Sequence, residues 1–304
     1  MMRYRELRKH AAVFQSLTGL NVVAFLELLP SFEQAYEADL NKREQERGQK
    51  RQRERGAGRS GALVSLENKL LFILFYFKIY PVQEAQGYFF GMGQTQAGEW
   101  IQRLTPILNQ ALGYEQQLPA RTAQAIQQVL ANCPELEFIM DGTERPIRRP
   151  KNKDRQKENY SGKKKRHVVK NNLVTEKRTK KVKALSATCE GKKHDKKLAD
   201  EQAIRFPKGS KVWKDTGFQG YEPENVITYQ PMKKPKGKEL TAKQKEHNQQ
   251  ISKERIGVEH SIAGIKVFGI VRNVYRNMRA GFDDLVMETA CGLHNLRLDY
   301  RLSA

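Results

Sequence analysis

The sequence predicts an α/β fold in which a mixed sheet is flanked by helices and preceded by an all-α region. Up to about residue 115, apolar residues fall in helix-like segments, whereas strand-like apolar runs begin only after about residue 116. The strand-like runs are residues 136–140, 167–174, 181–188, 211–214 and 226–229. Helices are expected at residues 197–205, 243–270 and 282–298. Strands first, then a helix, a strand and more helices are typical of a mixed sheet with helices on its faces.

The composition favours a polyanionic partner. The 304 residues include 55 Lys and Arg against 34 Asp and Glu, a formal net charge of +21. Solubility does not need so strong a bias, and we expect nucleic acid rather than an anionic membrane. The most apolar run, residues 70–77, is far shorter than the ~20 residues that span a bilayer. Three scattered cysteines without zinc spacing favour a reducing compartment, so the expected location is cytoplasmic and nucleoid-associated.

The all-α region divides into three predicted segments. Residues 1–40 form helices that Pro30 interrupts, and residues 41–62 form a charged, glycine-containing linker that is either a solvated loop or a DNA-touching arm. Residues 63–115 hold three short helices, the last two separated by a glycine turn. This is the arrangement of a helix-turn-helix, although many helical hairpins share it.

The third helix of that region, residues 94–112, carries the predicted DNA contacts. Gln94, Gln96 and Arg103 are expected to face solvent, while Trp100 and its apolar neighbours face a core. A proline at position 106 is expected to kink or split this helix.

Three acidic residues stand out in the basic background of residues 116–304. Asp141 and Asp215 each end a short apolar run before a glycine-containing turn, and Glu259 lies on a predicted helix. Mg²⁺ prefers hard oxygen ligands, and strand ends hold such ligands rigidly at one sheet edge. Two-metal phosphoryl transfer needs carboxylates that clamp two ions about 3.5–4 Å apart. The pattern therefore predicts that Asp141, Asp215 and Glu259 are catalytic metal ligands.

The helix that carries Glu259 has two basic residues on the same face. Arg255, Glu259 and Lys266 stand at i, i+4 and i+11, within a narrow angular range, and an adjacent apolar stripe can dock on the sheet. An ordinary surface helix with an Arg–Glu pair explains this spacing equally well. We expect Arg255 and Lys266 to position the scissile phosphate or flanking DNA.

A strongly basic segment follows the first aspartate. Residues 145–183 hold 17 Lys and Arg against three acids, and the segment overlaps predicted strands. A basic hairpin beside the metal site would hold DNA phosphates against the metals. Its predicted DNA contacts are Lys163, Lys164, Lys165 and Arg166.

Five sequence blocks occur in a fixed order along the second half of the chain. They are Met140–Ile147, Tyr160–His167, Gly191–Asp195, Asp215–Tyr221 and Arg255–His260. Together they resemble a bacterial insertion-sequence transposase with a DDE triad, of the branch similar to eukaryotic Harbinger-type elements. The resemblance runs from about residue 135 to 298, with a looser match at residues 63–112.

This resemblance implies a ribonuclease-H-like catalytic domain over residues 116–304. It implies that Asp141, Asp215 and Glu259 hold two Mg²⁺ ions, with Mn²⁺ able to substitute. The implied reaction is hydrolysis at the element's ends, followed by attack of the exposed 3′-hydroxyls on target DNA. The implied partners are double-stranded DNA, as terminal inverted repeats and target, and further copies of the chain assembled on it. No membrane and no nucleotide cofactor are expected, the latter because the chain lacks a Walker-type phosphate loop.

The sequence leaves alternatives for the roles of three residues and for the function. His194 and Asp195 either support the metal ligands from behind or cap the following helix, in preference to binding the metal directly. His260 points about 100° away from Glu259 on an ideal helix. The main alternative function is a domesticated or inactive DDE-fold protein that acts as a sequence-specific DNA-binding regulator, although all three acids are present. An RNA-binding protein would share the charge but not the ordered acidic blocks.

Overall fold

The computed structural model describes residues 1–48, 61–235, 237 and 239–301, and the chain divides into two compact units. Unit 1 comprises Met1–Leu118, Val267–Val271 and Leu285–Ala304, and unit 2 comprises Pro119–Lys266 and Arg272–Asp284. Most of the predicted linker, residues 49–60, lies outside the described residues.

Unit 1 begins with six helices in the described part of the chain. They are α1 (Tyr4–Leu7), α2 (Ala11–Thr18), α3 (Val22–Arg47), α4 (Leu66–Ile79), α5 (Gln83–Phe90) and α6 (Gln94–Tyr114). The side chain of Asn21 accepts a hydrogen bond from the Ala24 amide and caps α3, and Ser65 caps α4 in the same way through Asn68. The predicted helix–turn–helix arrangement of α5 and α6 is present, with the turn at residues 91–93.

Two predictions concern prolines inside helices. Pro30 does not interrupt its helix, because α3 continues through it to Arg47, seven residues into the predicted linker. Pro106 does not split α6. A proline inside a helix costs ~3 kcal/mol, and burial of large apolar side chains on both helices, Phe25 and Phe32 among them, offsets that cost. Helix α3 ends where Gly48 adopts a left-handed conformation, with φ of 67°.

Unit 2 contains a mixed sheet with helices. Its elements are α7 (Ala123–Ala131), β1 (Glu137–Pro146), α8 (Lys153–Asn159), β2 (Tyr160–Ser161), β3 (Arg166–Glu176), β4 (Val182–Leu185), β5 (Cys189–Glu190), α9 (Asp195–Gln202), β6 (Lys211–Lys214), β7 (Ile227–Tyr229) and α10 (Ala242–Lys266). Within the described residues the strand order is β2-β3-β1-β6-β7, and β4 and β5 also pair with β3. Strand β1 is antiparallel to β3 and parallel to β6. The predicted mixed α/β sheet is confirmed, while a ribonuclease-H-like fold stays a prediction.

The two faces of β1 and β6 pack against different layers. Phe138, Met140 and Val212 lie in one buried cluster with apolar residues of α7 and α9, while Ile139 and Trp213 lie in another with residues of α10. Successive side chains of a strand point to opposite faces. Ile139 and Trp213 therefore share the sheet face that packs against α10.

The C-terminal helices differ from their predicted extents. The helix predicted over residues 243–270 ends at Lys266, and a separate short helix, α11 (Gly269–Arg272), follows it. Helix α12 (Phe282–Asp299) matches its prediction closely, and its residues from Leu285 onward lie in unit 1. Within unit 1, Asn109 of α6 donates a hydrogen bond to the Thr289 hydroxyl of α12 at 3.1 Å.

The helix predicted over residues 197–205 is also shifted. Helix α9 begins at Asp195 and ends at Gln202, where Ala203 turns left-handed with φ of 46°. No single helix in the described part of the chain is long and apolar enough to cross a membrane, and only α2 and α3 taken together, with a 54° bend, reach that length and composition.

Candidate metal centre

The register of two neighbouring parallel strands brings Asp141 and Asp215 side by side. Ile139 pairs with Trp213, and Met140 with Lys214, so the two aspartates come next in matched positions. Both have the same parity as Ile139 and Trp213, which face α10. The two carboxylates therefore project towards the same helix.

The apolar run before Asp141 predicted that the strand ends at this residue. The strand instead continues beyond Asp141. Strand β1 continues to Pro146, and the polar residues after Asp141 pair with β3, from Asp141 opposite Leu173 to Pro146 opposite Val168. Asp141 lies instead at the point where the other neighbour, β6, stops at Lys214. The site therefore sits on the rigid sheet at the end of β6, with Asp215 at the start of a short 3-10 helix, Thr216–Phe218.

A guanidinium group from α10 lies between the two aspartates. Arg255 Nη2 is 3.4 Å from Asp141 Oδ2, and Arg255 Nη1 is 3.6 Å from Asp215 Oδ1. The side chains of Arg255, Asp141 and Asp215 are 12%, 18% and 36% exposed. Each aspartate also accepts a main-chain hydrogen bond, from Gly142 N at 2.8 Å and from Thr216 N at 2.6 Å. A cation thus bridges two oriented carboxylates.

The electrostatics leave Asp141 incompletely compensated. Burial raises the pKa of Asp141 to about 6, against the lowering effects of the Arg255 charge and the Gly142 N–H. The charges of Asp215 and Asp195 raise the pKa further. Excess negative charge on hard oxygen donors is the environment that a divalent cation such as Mg²⁺ prefers, so Asp141 and Asp215 fit an implied metal.

The structure does not bring Glu259 into this pair. Its side chain is exposed and makes no hydrogen bond or ion pair with the described residues. No group of three His, Cys, Asp or Glu side chains in the described part of the chain is placed to hold a metal. The assignment of Asp141, Asp215 and Glu259 as a metal-binding triad therefore stays a prediction. Arg255, one turn earlier on the same helix face, compensates part of the charge of the two aspartates, and the Glu259 carboxylate is exposed.

Lys266, at the end of α10, interacts electrostatically with the same region. Burial lowers the pKa of Lys266, and the charge of Lys164 lowers it further, while Asp141 and Glu144 act to raise it. Lys163, Lys164 and Lys165 are exposed in the turn between β2 and β3, and Arg166 is exposed at the start of β3. The predicted basic hairpin is thus present and lies close enough to Lys266 for their charges to interact.

A third carboxylate, Asp195, lies against the backbone beside both aspartates. Its oxygens approach Gly142 and Gly217 so closely that a Cβ atom on either glycine would lie within 3 Å of them. Lys170 of β3, whose Nζ is 3.1 Å from Asp195 Oδ1, pairs with it. Sequence reasoning missed Lys170, although a lysine among the apolar residues of a central strand was a usable signal.

The two histidines noted in the sequence take no part in these contacts. His194 is exposed at the N-cap position of α9, where its side chain makes no capping hydrogen bond. His260 is exposed on α10.

In unit 1, the predicted DNA contacts of α6 divide into two kinds. Gln94 and Gln96 are exposed in its first turn. The prediction that Arg103 faces solvent was wrong, because its Nη2 is 2.7 Å from Asp39 Oδ2 and its guanidinium lies 4.9 Å from the centre of the Tyr36 ring. Arg103 thus links α6 to α3.

Comparisons with known proteins agree with these features. The family described as DDE superfamily endonuclease matches residues 140–295, and the helix-turn-helix of DDE superfamily endonuclease matches residues 61–113. The chain is 31% identical over 243 residues to the probable transposase for insertion sequence element IS702 from Microchaete diplosiphon, covering 79% of this chain and 83% of that protein. No solved structure matches the chain significantly. The chain therefore belongs to the DDE superfamily endonuclease family.

Proposed function

We propose that the protein is a DNA transposase that cleaves the ends of an insertion sequence and joins the exposed 3′-hydroxyls to target DNA. The observation that carries the proposal is the Asp141–Asp215 pair, set in register on one sheet face with a cationic group between the carboxylates. Family membership and the similarity to the probable transposase of IS702 support the same reaction.

Asp141 and Asp215 would hold divalent metal, Mg²⁺ by preference and Mn²⁺ as a substitute, with Glu259 as the third ligand. Two bound ions would supply activation of the attacking oxygen and stabilisation of the leaving oxygen in an in-line displacement. Support for Glu259 comes from its place one turn after Arg255 on the helix face that meets the aspartates. We expect Glu259 to join the aspartates when Arg255 leaves them.

Arg255 and Lys266 would hold the scissile phosphate or the DNA beside it. The Nε atom of Arg255 is buried and has no hydrogen-bond partner among the described residues, so this donor of the guanidinium is available. A phosphate oxygen is a suitable acceptor, since the planar fork of arginine binds phosphate with two parallel hydrogen bonds. The exposed turn of Lys163, Lys164 and Lys165, with Arg166, would bind the flanking DNA backbone.

Recognition of particular element ends would come from the helix-turn-helix. The exposed first turn of α6 presents Gln94 and Gln96, and glutamine reads adenine in the major groove through paired hydrogen bonds. Arg103 has a structural role in this proposal, because Asp39 already engages it. We expect copies of the chain to assemble on two DNA ends, in the cytoplasm and at the nucleoid.

A DNA-binding regulator with a silent catalytic site is the second candidate. The observation that favours it is the exposed Glu259, which the structure leaves apart from the two aspartates. A regulator would keep sequence-specific binding through α6 and show no cleavage in Mg²⁺ or Mn²⁺.

A nicking assay tests the proposal. Labelled duplex carrying the element's own ends is incubated with Mg²⁺ and wild type, Asp141→Ala or Glu259→Gln. Asp200→Ala and Glu246→Gln are matched controls, because both acids are exposed, Asp200 on α9 and Glu246 on α10. We expect cleavage at the element boundary with wild type and both controls, and none with the two test variants. Specific binding without any cleavage by wild type would favour the regulator.

A further inference from the structure

The carboxylate of Asp195 lies in close contact with the two backbone segments that carry the proposed metal ligands. A Cβ atom at Gly142 would lie 2.8 Å from Asp195 Oδ1, and one at Gly217 would lie 2.5 Å from Asp195 Oδ2. Gly142 directly follows Asp141, and Gly217 is two residues after Asp215. Only glycine leaves room for the carboxylate at both positions, because contacts under 3 Å require the backbone or the acid to move.

Asp195 is itself held firmly by the central strand β3. Lys170 Nζ lies 3.1 Å from Asp195 Oδ1 and also donates to the carbonyl of Lys193 at 2.9 Å. Asn172 Nδ2 donates to the main-chain carbonyl of Asp195 at 2.9 Å. Both Lys170 and Asn172 are buried. The carboxylate is therefore a fixed spacer rather than a mobile surface group.

Helix initiation alone does not account for this carboxylate. An acid in the first turn stabilises a helix by only ~0.3–1 kcal/mol through the helix dipole. That contribution requires neither a buried lysine partner nor two glycines that accommodate the side chain. The capping position belongs to His194, and no side chain caps α9 there.

We infer that Asp195 is a positioning residue that sets the separation and orientation of Asp141 and Asp215. It acts through the backbone at Gly142 and Gly217 and so controls how tightly the two aspartates hold a divalent ion. This inference rests on the proposed function, because it assumes that the aspartates bind metal. Residues that orient metal ligands from behind typically change metal affinity by about 10–100-fold when they are replaced.

Mn²⁺ binding to the full chain without DNA tests the inference, with the free ion measured by electron paramagnetic resonance. Asp195→Asn keeps the side-chain volume and removes the charge that pairs with Lys170. Gly217→Ala keeps the Asp195 charge and displaces the carboxylate. Asp200→Asn, on the exposed side of the same helix, is the matched control. Thermal unfolding in a chelator checks that each variant folds.

We expect both test variants to weaken Mn²⁺ binding about tenfold or more, and the control to bind like wild type. Suppose that either folded test variant binds Mn²⁺ with wild-type affinity, while Asp141→Asn does not bind it. That result would overturn the positioning role of Asp195 and leave the proposed metal centre standing. If wild type and Asp141→Asn both fail to bind Mn²⁺, the proposed metal centre fails, and the inference about Asp195 fails with it.

Discussion

Asparagine at position 141 is expected to stabilise the metal-free protein at neutral pH, although it removes a catalytic acid. Burial raises the pKa of Asp141 from an ordinary value of 3.8 to about 6. At ~1.4 kcal/mol for each tenfold change in proton affinity, that rise corresponds to ~3 kcal/mol at pH 7.5. The side chain is only 18% exposed, so solvent screening reduces this figure little.

The sign follows from the direction of the shift. The folded protein binds a proton at Asp141 more tightly than the unfolded chain does, so protonation stabilises the fold. This stabilisation is complete below about pH 4 and is lost as the pH rises through about 6. Asparagine resembles the neutral carboxyl at every pH and therefore retains the stabilisation at pH 7.5.

Chemical unfolding in a chelator at pH 4.5 and pH 7.5 measures the effect. We expect Asp141→Asn to exceed wild type by ~3 kcal/mol at pH 7.5 and by much less at pH 4.5. Asp215→Asn is the control; its amide oxygen still accepts from Thr216 N, and we expect a change within about 0.5 kcal/mol. If Asp141→Asn were less stable than wild type at pH 7.5, or if the difference in unfolding free energy did not change with pH, burial of the charged Asp141 carboxylate would not destabilise the fold. Mg²⁺ should then stabilise wild type but not Asp141→Asn, because only the native site binds it.

Three further predictions concern the basic residues. Because Arg255 lowers the pKa of Asp141, Arg255→Gln should raise that pKa above 6 and move the pH midpoint of Mn²⁺ binding upwards; an unchanged or lower midpoint would contradict the contact. Lys164→Gln should reduce the magnitude of the slope of log affinity against log salt concentration by about 0.9 in DNA-binding titrations, because one phosphate contact is lost. An unchanged slope would show that Lys164 does not contact the DNA backbone. Arg103→Ala should lower the free energy of unfolding by about 1–3 kcal/mol through loss of its contacts with Asp39, without changing the salt slope of DNA binding.

The sequence alone was enough to predict the aspartate pair. Two apolar runs that each end in an acid belong to β1 and β6, and their parallel register brings the acids together. The continuation of β1 beyond Asp141 was not predictable from apolar periodicity, because its later residues are polar and are held by pairing with β3. Local patterns describe the faces of a strand, whereas strand pairing depends on contacts distant in sequence.

Contacts distant in sequence also explain the errors on the helices. Helical spacing placed Arg255 and Glu259 on one face but did not determine which of them contacts the aspartates. Arg103 was assigned to solvent because its partner, Asp39, lies 64 residues earlier. Both contacts form only when separate elements pack together, so the local sequence pattern does not encode them.

A crystal structure of the protein with a DNA end and Mn²⁺, with the ions located by anomalous scattering, tests whether Asp141 and Asp215 hold the metal. The proposed metal centre predicts Mn²⁺ in contact with the carboxylates of Asp141 and Asp215, Glu259 turned towards the same ion or a second one, and Arg255 moved onto the DNA phosphate. Mn²⁺ bound elsewhere, or Arg255 still lying between the two aspartates with a cleavable DNA end in place, would contradict it.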